Sequence, residues 1–256
     1  MPPVEYLTAV RLRLGADFAA EPLVYGACSR GVLDRRGAHA LCCASAEATV
    51  GHYAVRDAAF QLVSLADSSA ETEVEGLIPS HPSRRPADIL TGAALPGSLA
   101  ALDVGVCSPD AVGAGSDCVE SMRRRKVREY EQHLAELAEQ NILYRPCCFS
   151  AYGRAHPDAT ALLTNVAKRA SRRRGLADHS LLLRRSLVKI GVAIQRRAAR
   201  MVLACLPQPA GAAADLLHGA DIAGGQGAGE PIAGATAAGH AGSGLVSAGG
   251  ISIFTA

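Results

Sequence analysis

A turn between two apolar runs constrains the fold of this 256-residue chain more than any other feature. The turn is Leu95-Pro96-Gly97-Ser98, and in the run that follows it Leu102 and Val104 alternate with other residue types. Alternation with a period of two is typical of a half-buried β-strand, and proline followed by glycine is typical of a tight turn. The segment therefore predicts an antiparallel hairpin with strands over Arg85–Thr91 and Leu99–Cys107.

This hairpin is expected to bring two aspartates together. Asp88 and Asp103 are equally far along the chain from the midpoint of the turn, so they should face each other. Opposed residues on antiparallel strands have Cβ atoms about 5 Å apart, and carboxylates that close repel unless a cation lies between them. Mg²⁺ (or Mn²⁺) prefers oxygen ligands and can activate water for phosphodiester hydrolysis. The alternative is an ordinary hairpin with two solvated aspartates. Glu73 and Glu75 precede the hairpin and are weaker candidates for a third carboxylate.

The next periodic segment predicts a helix over Val119–Gln140 with Lys126 on its apolar face. Apolar residues recur there at spacings of three and four, namely Val119, Met122, Tyr130, Leu134 and Leu137. Lysine on such a face either extends to water or meets the aspartate pair. In the second case its amine could orient the attacking water or neutralise developing negative charge.

Charge is divided unevenly along the chain. Residues 121–200 contain 18 Lys and Arg against 6 Asp and Glu, a net charge of +12, and the remainder carries −10. An acidic site beside a basic surface suits a protein that holds phosphates. Arg123, Arg124 and Arg125 are the candidate nucleic-acid contacts on the predicted helix. The alternative is a set of solvated helix faces.

The eight cysteines do not predict a secreted disulfide framework. The chain is longer than small disulfide-stapled domains and its first residues lack a basic segment followed by an apolar run, so we expect a reducing compartment. Cys28, His39 and Cys43 are candidate Zn²⁺ ligands, the alternative being structural cysteines and a surface histidine. No membrane association is expected, because charged residues interrupt the apolar run in 181–194.

Several motifs, taken in their order, resemble the restriction-like endonuclease domain of non-LTR retrotransposon polyproteins, which belongs to the PD-(D/E)XK nuclease superfamily. The similarity covers roughly residues 6–205. Upstream, the segment 33–43 is similar to that family's zinc knuckle, and residues 195–201 resemble its closing helix. The matching residues around the hairpin are Arg85, Pro86, Asp88, Asp103, Ser108, Pro109, Lys126 and Tyr130, preceded by His52, Arg56 and Asp57.

The resemblance implies an α/β fold with a restriction-endonuclease-like core: a helix, a three-stranded meander, a helix and a strand, followed by extra C-terminal helices. It divides the chain into a linker (1–25), a zinc-knuckle-like segment (26–45), the endonuclease domain (46–206) and a disordered Gly/Ala-rich tail (207–256). Periodicity predicts the individual elements, which are helices over 6–14, 52–66, 159–172 and 180–204 and strands over 74–78 and 142–149. Pro146 in the last of these strands predicts a position near an edge or a bulge.

The resemblance also implies roles. Asp88 and Asp103 would hold Mg²⁺, Lys126 would be catalytic, and Tyr130, Arg85, His52 and Arg56 would support the site or contact the nucleic acid. Such domains nick a DNA target, so that a polymerase can prime reverse transcription. The implied partners are therefore target DNA and element RNA in the nucleus, with the polymerase on a separate or missing segment.

Three positions depart from the family pattern. Tyr25 stands where a cysteine is expected, Glu129 replaces a lysine, and Gly105 replaces the lysine of the Asp-x-Lys triplet. In some relatives the following helix supplies that lysine, which suits Lys126. The departures leave two rival interpretations, namely a catalytically inactive nucleic-acid-binding remnant and a decayed fragment that does not fold.

Overall fold

The computed structural model describes residues 1–24, 32–43, 46–111 and 113–206, without the side chains of Leu23 and Val24. The helices in these ranges are α1 (Pro3–Leu14), α2 (Ala38–Cys42), α3 (Ala46–Ala66), α4 (Cys118–Tyr130), α5 (Leu134–Glu139), α6 (Pro157–Arg173) and α7 (Ser180–Cys205). The strands are β1 (Leu23–Val24), β2 (Val32–Leu33), β3 (Glu71–Thr72), β4 (Ile89–Leu95), β5 (Ser98–Cys107) and β6 (Ile142–Ser150).

A four-stranded mixed sheet forms the centre of the fold, with strand order β3-β4-β5-β6. Neighbouring strands from β3 to β5 are antiparallel, whereas β5 and β6 are parallel. Parallel neighbours require a crossover connection, and α4 and α5 provide it between β5 and β6. The protein is therefore mixed α/β, as the sequence predicts, and β6 lies at an edge, as Pro146 predicts.

The pairing of β4 with β5 shifts its register once between the turn and the end of the hairpin that carries Ile89. Leu95 pairs with Ser98 across the turn, where Gly97 adopts a φ of 74°. The register then shifts between Thr91 and Leu95, and Ile89 pairs with Leu102. Asp88 directly precedes Ile89 and Asp103 directly follows Leu102, so both aspartates lie next to this last pair.

Helices cover both faces of the sheet. On one face α3, α6 and α7 pack against a cluster that includes Leu102, Val104 and Phe149. On the other face Ala101 and Tyr144 pack with residues of α4 and α5. Because successive strand residues point to opposite faces, β5 is buried on both sides at its centre. Asp103 lies on the α4 side, opposite in direction to its neighbours Leu102 and Val104.

One strand prediction is wrong, and a second has the wrong bounds. The segment 74–78 is not a strand, because Glu73 (φ 54°) and Gly76 (φ 75°) turn the chain, and the short strand β3 precedes them. β4 begins only at Ile89 and continues through Leu95. Pro86 has no amide hydrogen for a sheet ladder, which is consistent with the late start.

The predicted helix over 119–140 is interrupted. α4 ends at Tyr130, a 3₁₀ turn spans Glu131–His133, and α5 follows. Apolar spacings of three and four fit either kind of turn, so periodicity alone could not locate the break. The segment predicted to resemble a zinc knuckle (26–45) contains α2, and the predicted tail (207–256) lies outside the described residues. Among the helices described here, none combines the length and hydropathy needed to cross a bilayer.

Asp67 connects the end of α3 to β4. Its carboxylate accepts hydrogen bonds from the Thr91 hydroxyl (2.6 Å) and from the amides of Gly92 (2.9 Å) and Ser69 (3.0 Å). Burial alone would raise the pKa of Asp67, but the hydrogen bonds outweigh it and lower the pKa from 3.8 to about 2. The charged carboxylate therefore stabilises the folded state above a pH of about 4, and this stabilisation disappears as the pH falls towards 2.

We expect Asp67→Asn to lower the free energy of unfolding by about 1 kcal/mol at neutral pH, a value reduced for solvent screening. The difference from the native chain should shrink as the pH falls from about 4 to about 2. Denaturant unfolding of both proteins across this range measures it. Glu71→Gln, an exposed charge removal on β3, is the control. A difference that does not change with pH would contradict the assigned role.

Candidate functional site

Asp103 lies on β5 with both carboxylate oxygens engaged. The Lys126 Nζ is 2.5 Å from Oδ1, and the Tyr144 hydroxyl donates a hydrogen bond to Oδ2. Lys126 comes from α4 and Tyr144 from β6, so three elements converge on one carboxylate. The Asp103 side chain is only 13% exposed. A buried carboxylate with a cationic and a neutral donor is a preorganised polar centre rather than a solvated surface group.

Lys126 reaches Asp103 across Gly105. A Cβ atom added at Gly105 would lie 2.6 Å from the Lys126 Cε, closer than such atoms approach each other. The stem of Lys126 therefore occupies the space that a side chain at position 105 would need. The sequence pattern predicted an inward-facing Lys126, and this orientation is confirmed. Burial alone would lower the pKa of Lys126, but the charges of Asp103 and Asp88 outweigh it, so the pKa is raised.

Asp88 immediately precedes β4 and is held by two donors. Its Oδ2 accepts a 2.6 Å hydrogen bond from the Val104 amide, and its Oδ1 lies 3.2 Å from the His52 Nε2. The amide contact ties Asp88 to the strand that carries Asp103. Burial alone would raise the pKa of Asp88, but the His52 contact, the Lys126 charge and the Val104 amide outweigh it and lower the pKa.

The pKa values of the two aspartates are shifted in opposite directions. Burial and, secondarily, the negative charge of Asp88 raise the pKa of Asp103, although Lys126 opposes this shift. Burial and the Asp103 charge also raise the pKa of Tyr144, so its hydroxyl stays protonated and remains a donor. Asp88 and Asp103 together carry more negative charge than the single ammonium of Lys126 can neutralise. A further cation near Asp88 would therefore be stabilised.

A group of metal-ligating side chains surrounds Asp88. One ligand atom from each of His52, Glu73 and Asp88 lies within 4.8 Å of the other two, and this group could hold a metal ion. Glu73 adopts a φ of 54°, and its amide donates to the Asp88 carbonyl at 3.2 Å. A non-glycine residue in this left-handed region is uncommon and costs on the order of 1 kcal/mol, and such residues cluster at functional sites.

The donor set fits a divalent ion without identifying it. Two carboxylates suit Mg²⁺ and Mn²⁺, and the imidazole adds a softer nitrogen ligand. Asp103 is not part of the three-residue group found among the described residues, although it had been predicted to share the ion with Asp88. Glu73 contributes the third donor, whereas Glu75 forms an ion pair with Arg85 on the surface.

The remaining predicted residues near the hairpin brace the site. The Tyr130 hydroxyl donates to the Arg85 carbonyl (3.1 Å), and its ring centroid lies 4.8 Å from that of Tyr144. Burial raises the pKa of Tyr130 to about 12, so this hydroxyl also stays protonated. The Arg56 Nη1 is 2.6 Å from Glu73, and the Arg85 Nη1 is 3.5 Å from the same carboxylate. Both arginines therefore neutralise Glu73 and fix its position.

The three predicted arginine contacts on α4 differ in availability. Arg123 and Arg124 both form salt bridges with Glu120, at 2.8 and 2.6 Å. Arg125 is exposed and contacts the Met122 sulfur. Arg124 and Arg125, but not Arg123, line a cleft of about 490 Å³. Residues of the site that line the same cleft are His52, Gly105 and Lys126.

The predicted zinc site is only partly described. Cys28 and position 25 lie outside the described residues, while His39 and Cys43 belong to or follow α2. Cys43 is buried against a cluster that includes Leu33 and Val202. In the described ranges, these two residues do not join a group of three metal-ligating side chains. Zinc binding therefore stays a prediction.

Tyr144, Gly51 and Arg197 were not singled out by the sequence patterns. Tyr144 reaches the site because β6 pairs with β5 in parallel, with Ala101 opposite Tyr144 in the register. Arg197 lines the cleft from α7. A parallel pairing and a helix–helix packing join residues far apart in sequence, so neither leaves a local signal.

Comparison with protein-family models, curated proteins and solved structures gives no match.

Proposed function

We propose that this chain is a metal-dependent DNA endonuclease domain of the restriction-like type, derived from a retroelement. The observation that carries the proposal is the path of Lys126 across Gly105 to Asp103. The Lys126 side chain, which comes from α4, occupies the space that a side chain at position 105 would need. Position 105 is the one that holds the lysine of an Asp-x-Lys triplet. The order α3, β3, β4, β5, α4, β6 also agrees with the core that the resemblance implies.

The residues suggest a division of roles. His52, Glu73 and Asp88 would hold a divalent ion, Mg²⁺ or Mn²⁺. When bound, such an ion polarises a phosphate and lowers the pKa of water. Lys126 would stabilise negative charge that develops on the phosphate, and Asp103 with Tyr144 would keep its amine in place. Tyr130 would position the Arg85 backbone and thus the segment leading to Asp88.

DNA is the proposed substrate because acidic and basic surfaces adjoin. His52, which contacts Asp88, lines a cleft together with Lys126 and with Arg124, Arg125 and Arg128. Cationic side chains that contact phosphates give sequence-independent, salt-sensitive binding. A nick made by such a site would supply a primer end for reverse transcription in the nucleus, with element RNA as the template and a polymerase as the partner.

The test is nicking of supercoiled plasmid at low salt with Mg²⁺ or Mn²⁺, and with EDTA as the blank. We expect metal-dependent nicking by the native chain. Glu73→Gln should weaken Mn²⁺ binding, measured by calorimetry, and reduce nicking by at least about tenfold. Glu75→Gln is the matched control, because Glu75 contacts Arg85 but lies outside the metal-ligating group. Intact plasmid under all these conditions would refute the nuclease.

A second candidate function is a nucleic-acid-binding protein without catalysis. It is favoured by the charge compensation of the site, because Lys126 and Tyr144 occupy both oxygens of Asp103 and two arginines contact Glu73. Such a protein would bind DNA with strong salt dependence, and Asp88→Asn would bind as well as the native chain. No variant would nick plasmid with any metal, which distinguishes it from the nuclease.

A further inference from the structure

Arg197 is a partly buried cation without a hydrogen-bond or salt-bridge partner in the described part of the chain. Its Nε is inaccessible to solvent and has no hydrogen-bond partner, and no salt bridge joins Arg197 to another described residue. The neighbouring arginines of α7 behave differently, since Arg196 and Arg200 both bond to Glu5. The groups that act electrostatically on Arg197 are the thiols of Cys107 and Cys42, with no carboxylate among them.

The fold makes room for this side chain at a cost. A Cβ atom at Gly51 would lie 2.3 Å from the Arg197 Cγ and 2.7 Å from its Cβ, so the stem of Arg197 passes directly over Gly51 of α3. Glycine inside a helix is less stable than alanine by roughly 1 kcal/mol. Burial lowers the pKa of Arg197 to about 10, so the guanidinium is still charged at neutral pH. An unpaired buried charge is also destabilising.

Despite these two costs, Arg197 faces the cleft of the candidate site. Arg197 lines that cleft together with His52 and Lys126, and with the thiol-bearing Cys42 and Cys107. His52 directly follows Gly51, so the helix turn that lets Arg197 through also carries a metal-ligating residue. A planar guanidinium without a described hydrogen bond, in a cleft that also presents Lys126 and Arg124, is suited to a phosphate group.

We propose that Arg197 binds a phosphate of the nucleic-acid backbone in this cleft, next to the phosphate that reacts. This inference deepens the proposed nuclease function. It rests on that function only for the statement that the phosphate belongs to a nucleic acid. A phosphate oxygen supplies the anionic acceptor that the described residues do not give to the Arg197 guanidinium. Gly51 is then a positioning residue, because it lets the stem of Arg197 pass from α7 into the cleft.

Thermal unfolding of the full chain in inorganic phosphate, compared with chloride at equal ionic strength, tests the anion site without any cleavage. We expect phosphate to raise the Tm of the native protein by several degrees. Arg197→Met should abolish this rise, while its own Tm in chloride should equal or exceed that of the native chain. Gly51→Ala should also abolish the rise, because it displaces the stem. Arg185→Gln removes an exposed charge from the same helix and should keep the rise.

Binding of a labelled DNA duplex in EDTA identifies the source of the phosphate. We expect Arg197→Met to weaken binding about tenfold and Arg185→Gln to weaken it less than twofold. A lost phosphate response with unchanged duplex affinity would overturn the nucleic-acid assignment in favour of free phosphate. A lower Tm for Arg197→Met in chloride, with no phosphate response in the native chain, would show a structural role and overturn the site itself. If plasmid nicking fails while both expected losses occur, the nuclease is refuted and the phosphate site stands.

Discussion

Replacing Lys126 with methionine is expected to lower the free energy of unfolding by about 3 kcal/mol, because it removes one partner of a buried ion pair. Asp103 would keep only the Tyr144 hydroxyl and would face the charge of Asp88 without compensation. Methionine has nearly the length of the lysine stem, so little of the packing over Gly105 should be lost. Denaturant unfolding at neutral pH measures the change, and we expect plasmid nicking to fall by about a thousandfold.

Two further variants separate the charge from the packing. Arg128→Met removes an exposed charge from the same helix and should change stability by less than about 0.5 kcal/mol. Combining Lys126→Met with Asp103→Asn removes both charges while keeping an acceptor for Tyr144. The double variant should therefore be more stable than Lys126→Met alone, which a double-mutant cycle would detect. Equal losses in the Lys126 and Arg128 variants would show that the ion pair contributes nothing.

The elements that sequence reasoning located correctly are those with local signals. Pro96 and Gly97 mark the turn, and the apolar alternation of Leu102 and Val104 assigns Asp103 to the opposite face of β5. The position of Lys126 on the apolar face of α4 follows from helical spacing. These residues meet as expected because a hairpin followed by an amphipathic helix is specified by nearby residues.

The rest of the site depends on information that local patterns do not carry. Glu73 reaches Asp88 only because its own backbone adopts a left-handed conformation and ends β3 early. Nothing in the residues around Glu73 indicates this, and a strand was predicted over 74–78 instead. Tyr144 and Arg197 arrive through strand and helix packing over long sequence separations. The hairpin turn itself was predicted correctly although the register shifts between Thr91 and Leu95, and Asp88 directly precedes β4 instead of lying within the predicted strand.

Moving the lysine onto β5 is expected to restore much of the activity that its removal from α4 abolishes. Residues 103 and 105 project from the same face of the strand, since strand side chains alternate. Once the Lys126 side chain is shortened to alanine, the space above Gly105 that its stem occupied is open. A lysine at position 105 can then extend towards Asp103 from the adjacent backbone. We expect Gly105→Lys with Lys126→Ala to nick plasmid about a hundredfold faster than Lys126→Ala alone.

The controls for this exchange test the charge and the space separately. Gly105→Met with Lys126→Ala fills the same volume without an amine and should remain as inactive as Lys126→Ala. Gly105→Lys in the native background should be destabilised, because two side chains would compete for one space. If the exchanged protein folds with native stability yet nicks no faster than Lys126→Ala, the amine does not act on the phosphate. Lys126 would then serve only to compensate Asp103, and the non-catalytic binding protein would be the better interpretation.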